Sequence, residues 1–385
     1  MKFAYITTYD ARSLGGVHEW SGTGYYIAQS LEHQSLSPLY IGPLDDPLLL
    51  KIKRGIQRRY YHLIHRQNYQ KDADPLTLKN YAWQIEQKMK GEAIDFVFSA
   101  TANPIAYLDC NYPIIFWADG TFASIQNFYP LYQNLHPTVI QDWHRMEEMA
   151  LQKCTLAIYA SDWAATSAIN DYGTDPAKVH VVPFGANTDS PFTAETIKDT
   201  IAARPRDCCQ LLFMAVEWER KGGDLVYQVA KQLNQSGLKT ELTIVGCHPP
   251  LKEEIPDFVN VVGFISKSTL EGKNKIAKLI AESHFLIVPS LAECYGLVFC
   301  EANAFGVPCI SRRVGGIPTI VKDHINGFLF DLNAEVNEYC EYITQVFSNH
   351  SKYKELAFSS FNEYESRLNW RIAGQRVKSL LESIL

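Results

Sequence analysis

Short apolar runs alternate with longer amphipathic stretches along almost the whole chain, and no other property of the sequence limits the fold as tightly. Strand-then-helix, repeated many times, makes parallel β-sheet covered by helices. In the first half the strand candidates are Phe3–Thr8, Leu39–Gly42, Phe96–Ala100, Ile114–Ala118, Leu156–Ala160 and His180–Pro183. Helical runs between them include Gly24–His33, Leu76–Lys90, Val139–Lys153 and Trp163–Tyr172. The pattern breaks at 182–189, where Pro183 and Gly185 mark a linker, and then restarts. The second series of strands is Leu211–Val216, Leu242–Gly246, Val259–Phe264, Phe285–Pro289 and Cys309–Arg312, with helices at Asp224–Gln235, Thr269–Ser283, Val298–Phe305 and Glu335–Ser348. The polar stretch Ala194–Asp207 reads as an exposed excursion. A last helix, Trp370–Leu385, carries Ile372, Ala373, Val377, Leu380, Leu381 and Ile384 on one face.

The expectation is therefore an α/β chain of two doubly wound, Rossmann-like parallel-sheet domains facing across a cleft. At 385 residues the chain is too long for one typical core. Ligands of such sheets bind at the carboxyl ends of the strands, so the chemistry is expected there.

Composition excludes several classes. A net charge of −6 gives no overall bias toward nucleic acid. No apolar run reaches the roughly 18 residues that span a bilayer, and MKFAYITTYD reads as a first strand rather than a secretory leader. Nine cysteines without a CxxC pair point to buried thiols in a reducing compartment. The expected location is the cytoplasm.

The densest chemical signal is the segment 289–302, Pro-Ser-Leu-Ala-Glu-Cys-Tyr-Gly-Leu-Val-Phe-Cys-Glu-Ala. A strand ends at Pro289, a loop carries Glu293, and Gly296 opens a helix. Glycine permits close backbone approach, and the N–H groups of Leu297 and Val298 then lie at the positive helix end, where a diphosphate can bind. Taken alone, Glu293 and Glu301 are equally a helix cap and a solvated helix residue. A second motif, Phe213–Asp224, ends a strand in Arg220 and Lys221 before Gly222 and Gly223. Cations there can neutralise a diphosphate leaving group, or form an exposed basic turn.

The spacing of Glu293 and Glu301 resembles the paired-glutamate motif of glycosyltransferase family 4, a retaining family with the GT-B fold. Further matches are Val261-Val262-Gly263-Phe264-Ile265, Ala304-Phe305-Gly306-Val307-Pro308, Gly315-Gly316-Ile317-Pro318 and Asn326-Gly327-Phe328-Leu329, covering most of 208–332 in order. The resemblance implies an N-terminal acceptor-binding domain (1–184, with helix 367–385 packing back on it) and a C-terminal nucleotide-sugar domain (185–366). It implies that Glu293 contacts donor-sugar hydroxyls, Glu301 binds the ribose, and Gly296, Leu297 and Val298 hold the diphosphate. Lys221 matches the family's lysine. Val216 stands where its arginine usually is, so Arg220 is the candidate for the missing charge, and Thr319 replaces a frequent glutamate. The base is expected against the loop 263–267, at Phe264 or Ile265.

In the first half, the glycine-rich stretch 15–26 follows the first strand. Gly22 and Thr23 are the candidates to meet the donor diphosphate, and Trp20, Tyr25 and Tyr26 can stack on sugar rings. Asp119 ends a buried strand and can orient an acceptor or donor hydroxyl, or simply make the turn before Gly120. Residues 51–71 hold seven cations and no acid. They read as a solvated helix face, with weak contact to a membrane surface or a charged acceptor as the alternative. Asp72-Ala73-Asp74 reads as a loop, so no metal site and no cofactor is expected.

The resulting expectation is transfer of a hexosyl group from a nucleoside diphosphate sugar to an acceptor hydroxyl with retention, UDP-hexose such as UDP-glucose first and GDP-mannose second. A GT-B sugar-nucleotide epimerase and a non-catalytic nucleotide-sugar-binding protein are the rivals. Acceptor, linkage and oligomeric state are not encoded in these motifs.

Overall fold

A computed structural model describes residues 1–14, 20–188, 190–250 and 254–384. It divides into two compact units, Met1–Pro183 with Ala373–Leu385, and Phe184–Ile372.

In the first unit the order is β1 (Lys2–Ile6), α1 (Thr23–Glu32), β2 (Ser37–Tyr40), α2 (Leu48–Tyr60), α3 (Pro75–Met89), β3 (Phe96–Ser99), β4 (Ile114–Ala118), α4 (Phe122–Ile125), α5 (Pro137–Lys153), β5 (Leu156–Tyr159), α6 (Asp162–Asn170) and β6 (Val179–Val181). The six strands form one sheet in the order β2-β1-β3-β4-β5-β6, every pair parallel. β1, β3, β4 and β5 are almost wholly buried, which is why they read as unbroken apolar runs rather than as alternating ones. Phe3 stacks on Phe96 across the β1–β3 pair.

The second unit continues with α7 (Thr196–Ala203), β7 (Cys209–Met214), α8 (Gly223–Gln235), β8 (Thr240–Val245), β9 (Val259–Gly263), α9 (Leu270–Glu282), β10 (Phe285–Ile287), α10 (Leu297–Asn303), β11 (Cys309–Arg312), α11 (Ile317–Ile320), β12 (Gly327–Phe330), α12 (Val336–Phe347) and α13 (His350–Arg367), and the last helix, α14 (Trp370–Glu382), belongs from Ala373 onward to the first unit. Its sheet runs β12-β11-β10-β7-β8-β9, again parallel throughout. Strand order reverses between β7 and β10, so the loops leaving these two neighbours part to opposite faces and open a crevice at their carboxyl ends.

One expectation needs correction and three gain detail. The stretch 194–207 is not an exposed excursion. Within it α7 buries Ile197 and Ile201, and Arg204 is 4% exposed. The Arg204 guanidinium donates to the carbonyls of Ala281, Phe305 and Gly306 and to the Tyr353 hydroxyl, so a residue that looks solvent-bound is a buried tie. The linker segment 182–187, within which the two units divide, is buried. Tyr295 donates to the Phe184 carbonyl, Trp370 Nε1 donates to Asn187 Oδ1, and Ala186 N–H donates to the Leu368 carbonyl. A Cβ on Gly185 would stand 2.2 Å from the Trp370 nitrogen. Asp72-Ala73-Asp74 is a loop as expected, and Asp74 ends it as the N-cap of α3, its carboxylate accepting from Thr77 N–H at 2.9 Å. The basic run 51–71 is largely exposed, as a solvated helix face would be, but α2 exposes Ile52 and Ile56 along with its cations. Gly15–Glu19, Asp189 and Leu385, parts of the glycine-rich stretch, the linker and the last helix, lie outside the described residues.

Candidate functional site

The second unit assembles its candidate residues where strand order reverses. β7 and β10 are paired in parallel, Leu211 opposite Phe285, so the segments following them leave the same sheet edge side by side. The turn after β7 reaches across because Gly222, at φ +78°, has no Cβ; one would sit 2.4 Å from the Pro289 carbonyl oxygen. Leu291 N–H donates to the Arg220 carbonyl at 2.8 Å and fixes the two segments together. Trp218 covers Gly223 and donates its indole N–H to Asp224 at 2.8 Å, holding the start of α8.

These contacts carry Lys221 onto Glu293. The ammonium donates to Glu293 Oε2, and Arg220 Nη1 stands 4.0 Å from the same oxygen. Glu293 is 9% exposed. Arg220 is held by two bonds to the Glu217 carboxylate, at 3.0 and 2.6 Å, and by one to the Ala292 carbonyl at 2.8 Å. Its guanidinium keeps Glu217 below the usual carboxylate range. Burial, reinforced by the Arg220 charge, pulls Lys221 down to about 7. A lysine so placed gains from any anion that enters beside it.

Gly296 N-caps α10 at φ +97°, and a Cβ there would stand 2.7 Å from the Phe299 ring. Gly316 N–H donates to the Glu293 carbonyl at 3.2 Å, which brings the 315–318 motif onto the same loop. Leu297 and Val298 open α10 half-buried. Glu301 lies deeper in α10, 2% exposed, and accepts from Lys267. Lys267 belongs to the loop after β9, beside Phe264, which is 57% exposed, and half-buried Ile265. Phe264 is thus an open aromatic face and not a core residue. The sequence marks position 267 only as the end of the loop 263–267. Its thirty-four-residue separation from Glu301 hides the pairing in the sequence.

The first unit brings Trp20 and Asp119 together: the indole N–H donates to Asp119 Oδ2 at 3.2 Å. Burial pushes the Asp119 carboxyl up, and the Trp20 bond opposes it. Gly22, at φ +80°, N-caps α1. Thr23 is buried, with no hydrogen-bond partner for its hydroxyl among the described residues. Tyr25 and Tyr26 are half-buried and meet edge to face. Among the described residues no group of three or more His, Cys, Asp or Glu side chains is placed to hold a metal ion, and no helix is long and apolar enough to cross a membrane.

Comparison with known proteins identifies the family. Residues 25–190 match the model "Glycosyltransferase Family 4" and residues 201–360 match "Glycosyl transferases group 1". The D-inositol 3-phosphate glycosyltransferase of Xylanimonas cellulosilytica is 27% identical over 195 residues, 48% of this chain and 47% of that protein. The phosphatidylinositol N-acetylglucosaminyltransferase gpi3 subunit of Schizosaccharomyces pombe is 21% identical over 54% of this chain and 44% of its own length. The chain thus spans about half the length of the curated relatives it matches. Among solved structures, sucrose-phosphate synthase from Thermosynechococcus elongatus superposes with a TM-score of 0.68 at 15% identity, covering 100% of this chain and 98% of the other. Anabaena HepE in complex with UDP-glucose gives 0.62 at 15% identity, with 100% of both chains covered. The fold is GT-B, two Rossmann-like units in tandem. With family models matched in both halves, the chain belongs to the group 1, family 4 glycosyltransferases.

Proposed function

We propose that this protein is a retaining hexosyltransferase that moves a hexosyl group from a nucleoside diphosphate sugar to an acceptor hydroxyl. The observation that carries the reading is the convergence of Lys221, Arg220 and Glu293 beside the glycine start of α10, at the strand-order reversal of the second sheet. Residues 185–366 form the donor half. There the N–H groups of Gly296, Leu297 and Val298 bind the diphosphate, Glu293 contacts the sugar hydroxyls and Glu301 accepts from the ribose. Phe264 and Ile265 flank the base. Residues 1–184, joined by helix 367–385, form the acceptor half, in which Asp119 orients a hydroxyl and Gly22 and Thr23 offer backbone N–H groups to the donor.

The acceptor oxygen attacks the anomeric carbon from the face the diphosphate leaves, through an oxocarbenium-like state. The bond from that carbon to the phosphate oxygen breaks, and the departing oxygen takes the acceptor's proton. Lys221 and Arg220 stabilise the leaving charge, which is the task a metal ion performs in other transferases. UDP-hexose is the favoured donor, as in the HepE complex, with GDP-mannose second.

A panel of UDP- and GDP-hexoses, read by nucleotide release with and without acceptors, tests the reading. Inositol 3-phosphate and phosphatidylinositol, which two relatives are named for, head the acceptors. NMR of the product gives the anomeric configuration. Acceptor-dependent release with an axial linkage from an α-donor is expected, and it should persist in EDTA. An inverted product, an isomerised donor without glycoside, or turnover restored only by Mg²⁺ or Mn²⁺ would each overturn part of the scheme.

A further inference from the structure

Helix α2 is mounted inside out. A helix on a globular domain normally turns its apolar stripe to the core, yet this one anchors itself by its polar side. Arg54, 7% exposed, donates to Asp46 at 2.5 Å and to the Thr77 hydroxyl at 3.0 Å. Lys53 pairs with Asp74 at 3.2 Å, and the Tyr69 hydroxyl donates to Gln57 at 3.3 Å. The opposite side carries Leu48, Ile52, Ile56 and Tyr60 at one-turn spacing, with Leu49 beside them, and the π-helical turn Tyr61–His65 extends it through Leu63 and Ile64. These side chains are between 52% and 80% exposed. Exposing so much contiguous aliphatic surface to water is costly, and such patches mark binding surfaces.

The charges around the patch say what covers it. Lys51, Arg58, Arg59 and Arg66 are exposed and, among the described residues, make no salt bridge. No acid occurs from 51 to 71, in a chain whose net charge is −6. Leucine and isoleucine on one face, bordered by long cationic side chains, match a surface whose outer layer is anionic and whose interior is hydrocarbon. The stems of lysine and arginine can lie along the apolar layer while their heads reach phosphate. A second copy of this chain is a poor occupant, since a two-fold contact sets each patch against itself and brings cation to cation.

We propose that α2 and its π-helical extension dock in the plane of an anionic lipid bilayer, with Ile52, Ile56 and Leu63 entering the acyl boundary and Lys51, Arg58 and Arg59 engaging headgroup phosphates. The chain leaves the carboxyl end of β2 to reach α2, so the docking element departs from the same sheet edge that presents Asp119.

Co-sedimentation of the full chain with vesicles tests this. Wild type should pellet with phosphatidylcholine vesicles containing phosphatidylglycerol, pellet weakly with phosphatidylcholine alone, and be partly released by salt. The triple variant Lys51→Gln/Arg58→Gln/Arg59→Gln should lose affinity by on the order of a hundredfold, since each cation near such a surface contributes about fivefold. Ile52→Ser/Ile56→Ser should lose binding that salt does not explain, while Leu270→Ser, exposed in the other unit, should not. All these side chains are solvent-facing, and unchanged melting will show that the variants fold. Failure of wild type to pellet with the mixed vesicles overturns the proposal, as does wild-type binding by both patch variants. Sedimentation equilibrium covers the remaining occupant: a dimer that Ile52→Ser/Ile56→Ser dissociates, without vesicle binding, assigns the face to a second copy.

Discussion

Lys221 carries its charge in surroundings that disfavour charge, and this has a measurable consequence. With burial and Arg220 holding it at about 7, much of the empty protein has a neutral Lys221 at pH 8. A diphosphate arriving beside it favours the ammonium, so nucleotide binding at that pH should take up about one proton. Calorimetric titration with UDP at pH 8 in two buffers of different ionisation enthalpy measures the uptake. Lys221→Met should abolish it, and a buffer-independent enthalpy for wild type would remove Lys221 from the diphosphate site. Glu301 makes a second prediction. Glu301→Gln keeps the shape but softens a charge-assisted bond to the ribose, which costs about 1.5–3 kcal/mol, read as a tenfold to hundredfold weaker UDP affinity with an unchanged circular dichroism spectrum. Much of this site was legible in the sequence, because Gly222, Gly296 and the cations mark sharp turns after apolar strands. The Lys267–Glu301 and Trp20–Asp119 contacts were not, since each joins distant segments that only the sheet order brings together.

Elements act here through close backbone approach as much as through side-chain burial. Within the first unit α14 packs on α1 at Gly374, where a Cβ would stand 2.4 Å from the Ser30 carbonyl oxygen. Backbone cannot yield as a flexible side chain can, so Gly374→Ala should separate the helices and cost about 1–3 kcal/mol despite alanine's better helix propensity. Chemical denaturation measures it, and an unchanged or higher midpoint would show that the helices shift freely. Ala373, Val377 and Leu381 are buried along that helix, as is Trp370 at its start, and their spacing in the sequence foretells one apolar face. Periodicity places elements well for this reason, but it does not say which face turns inward. That is why α2 misleads: its stripe is regular, yet Asp46, Asp74 and Thr77 capture its polar side. α7 escapes the pattern for a different reason, since Ile197 and Ile201 are its only large apolar residues and Arg204 supplies the rest of the anchoring. The sequence pattern does not announce α13 or β12 as elements. β12 is four residues beginning at Gly327, too short to show a period.

For the molecule as a whole, stability is a small difference between large terms, so a single buried charge can shape its pH profile. Glu147 is such a group. It lies on α5 at 3% exposure, with one carboxylate oxygen accepting from Phe122 N–H at 3.3 Å and the other without a partner among the described residues. Burial raises it from 4.5 to about 8, opposed only by the Phe122 bond. Because the folded value lies above the unfolded one, the folded protein holds the proton more tightly. Its contribution is fully present below pH 4.5 and is lost as pH rises through about 8. Over that window the loss is on the order of a few kcal/mol. Glu147→Gln removes the titration while keeping the shape and the acceptor for Phe122. The variant should therefore match wild type near pH 5 and exceed it at pH 9, with a flatter curve between. Urea denaturation across this range decides the matter: parallel profiles for the two proteins would mean that Glu147 is solvated or paired in the folded state, and that some other group sets the alkaline limit.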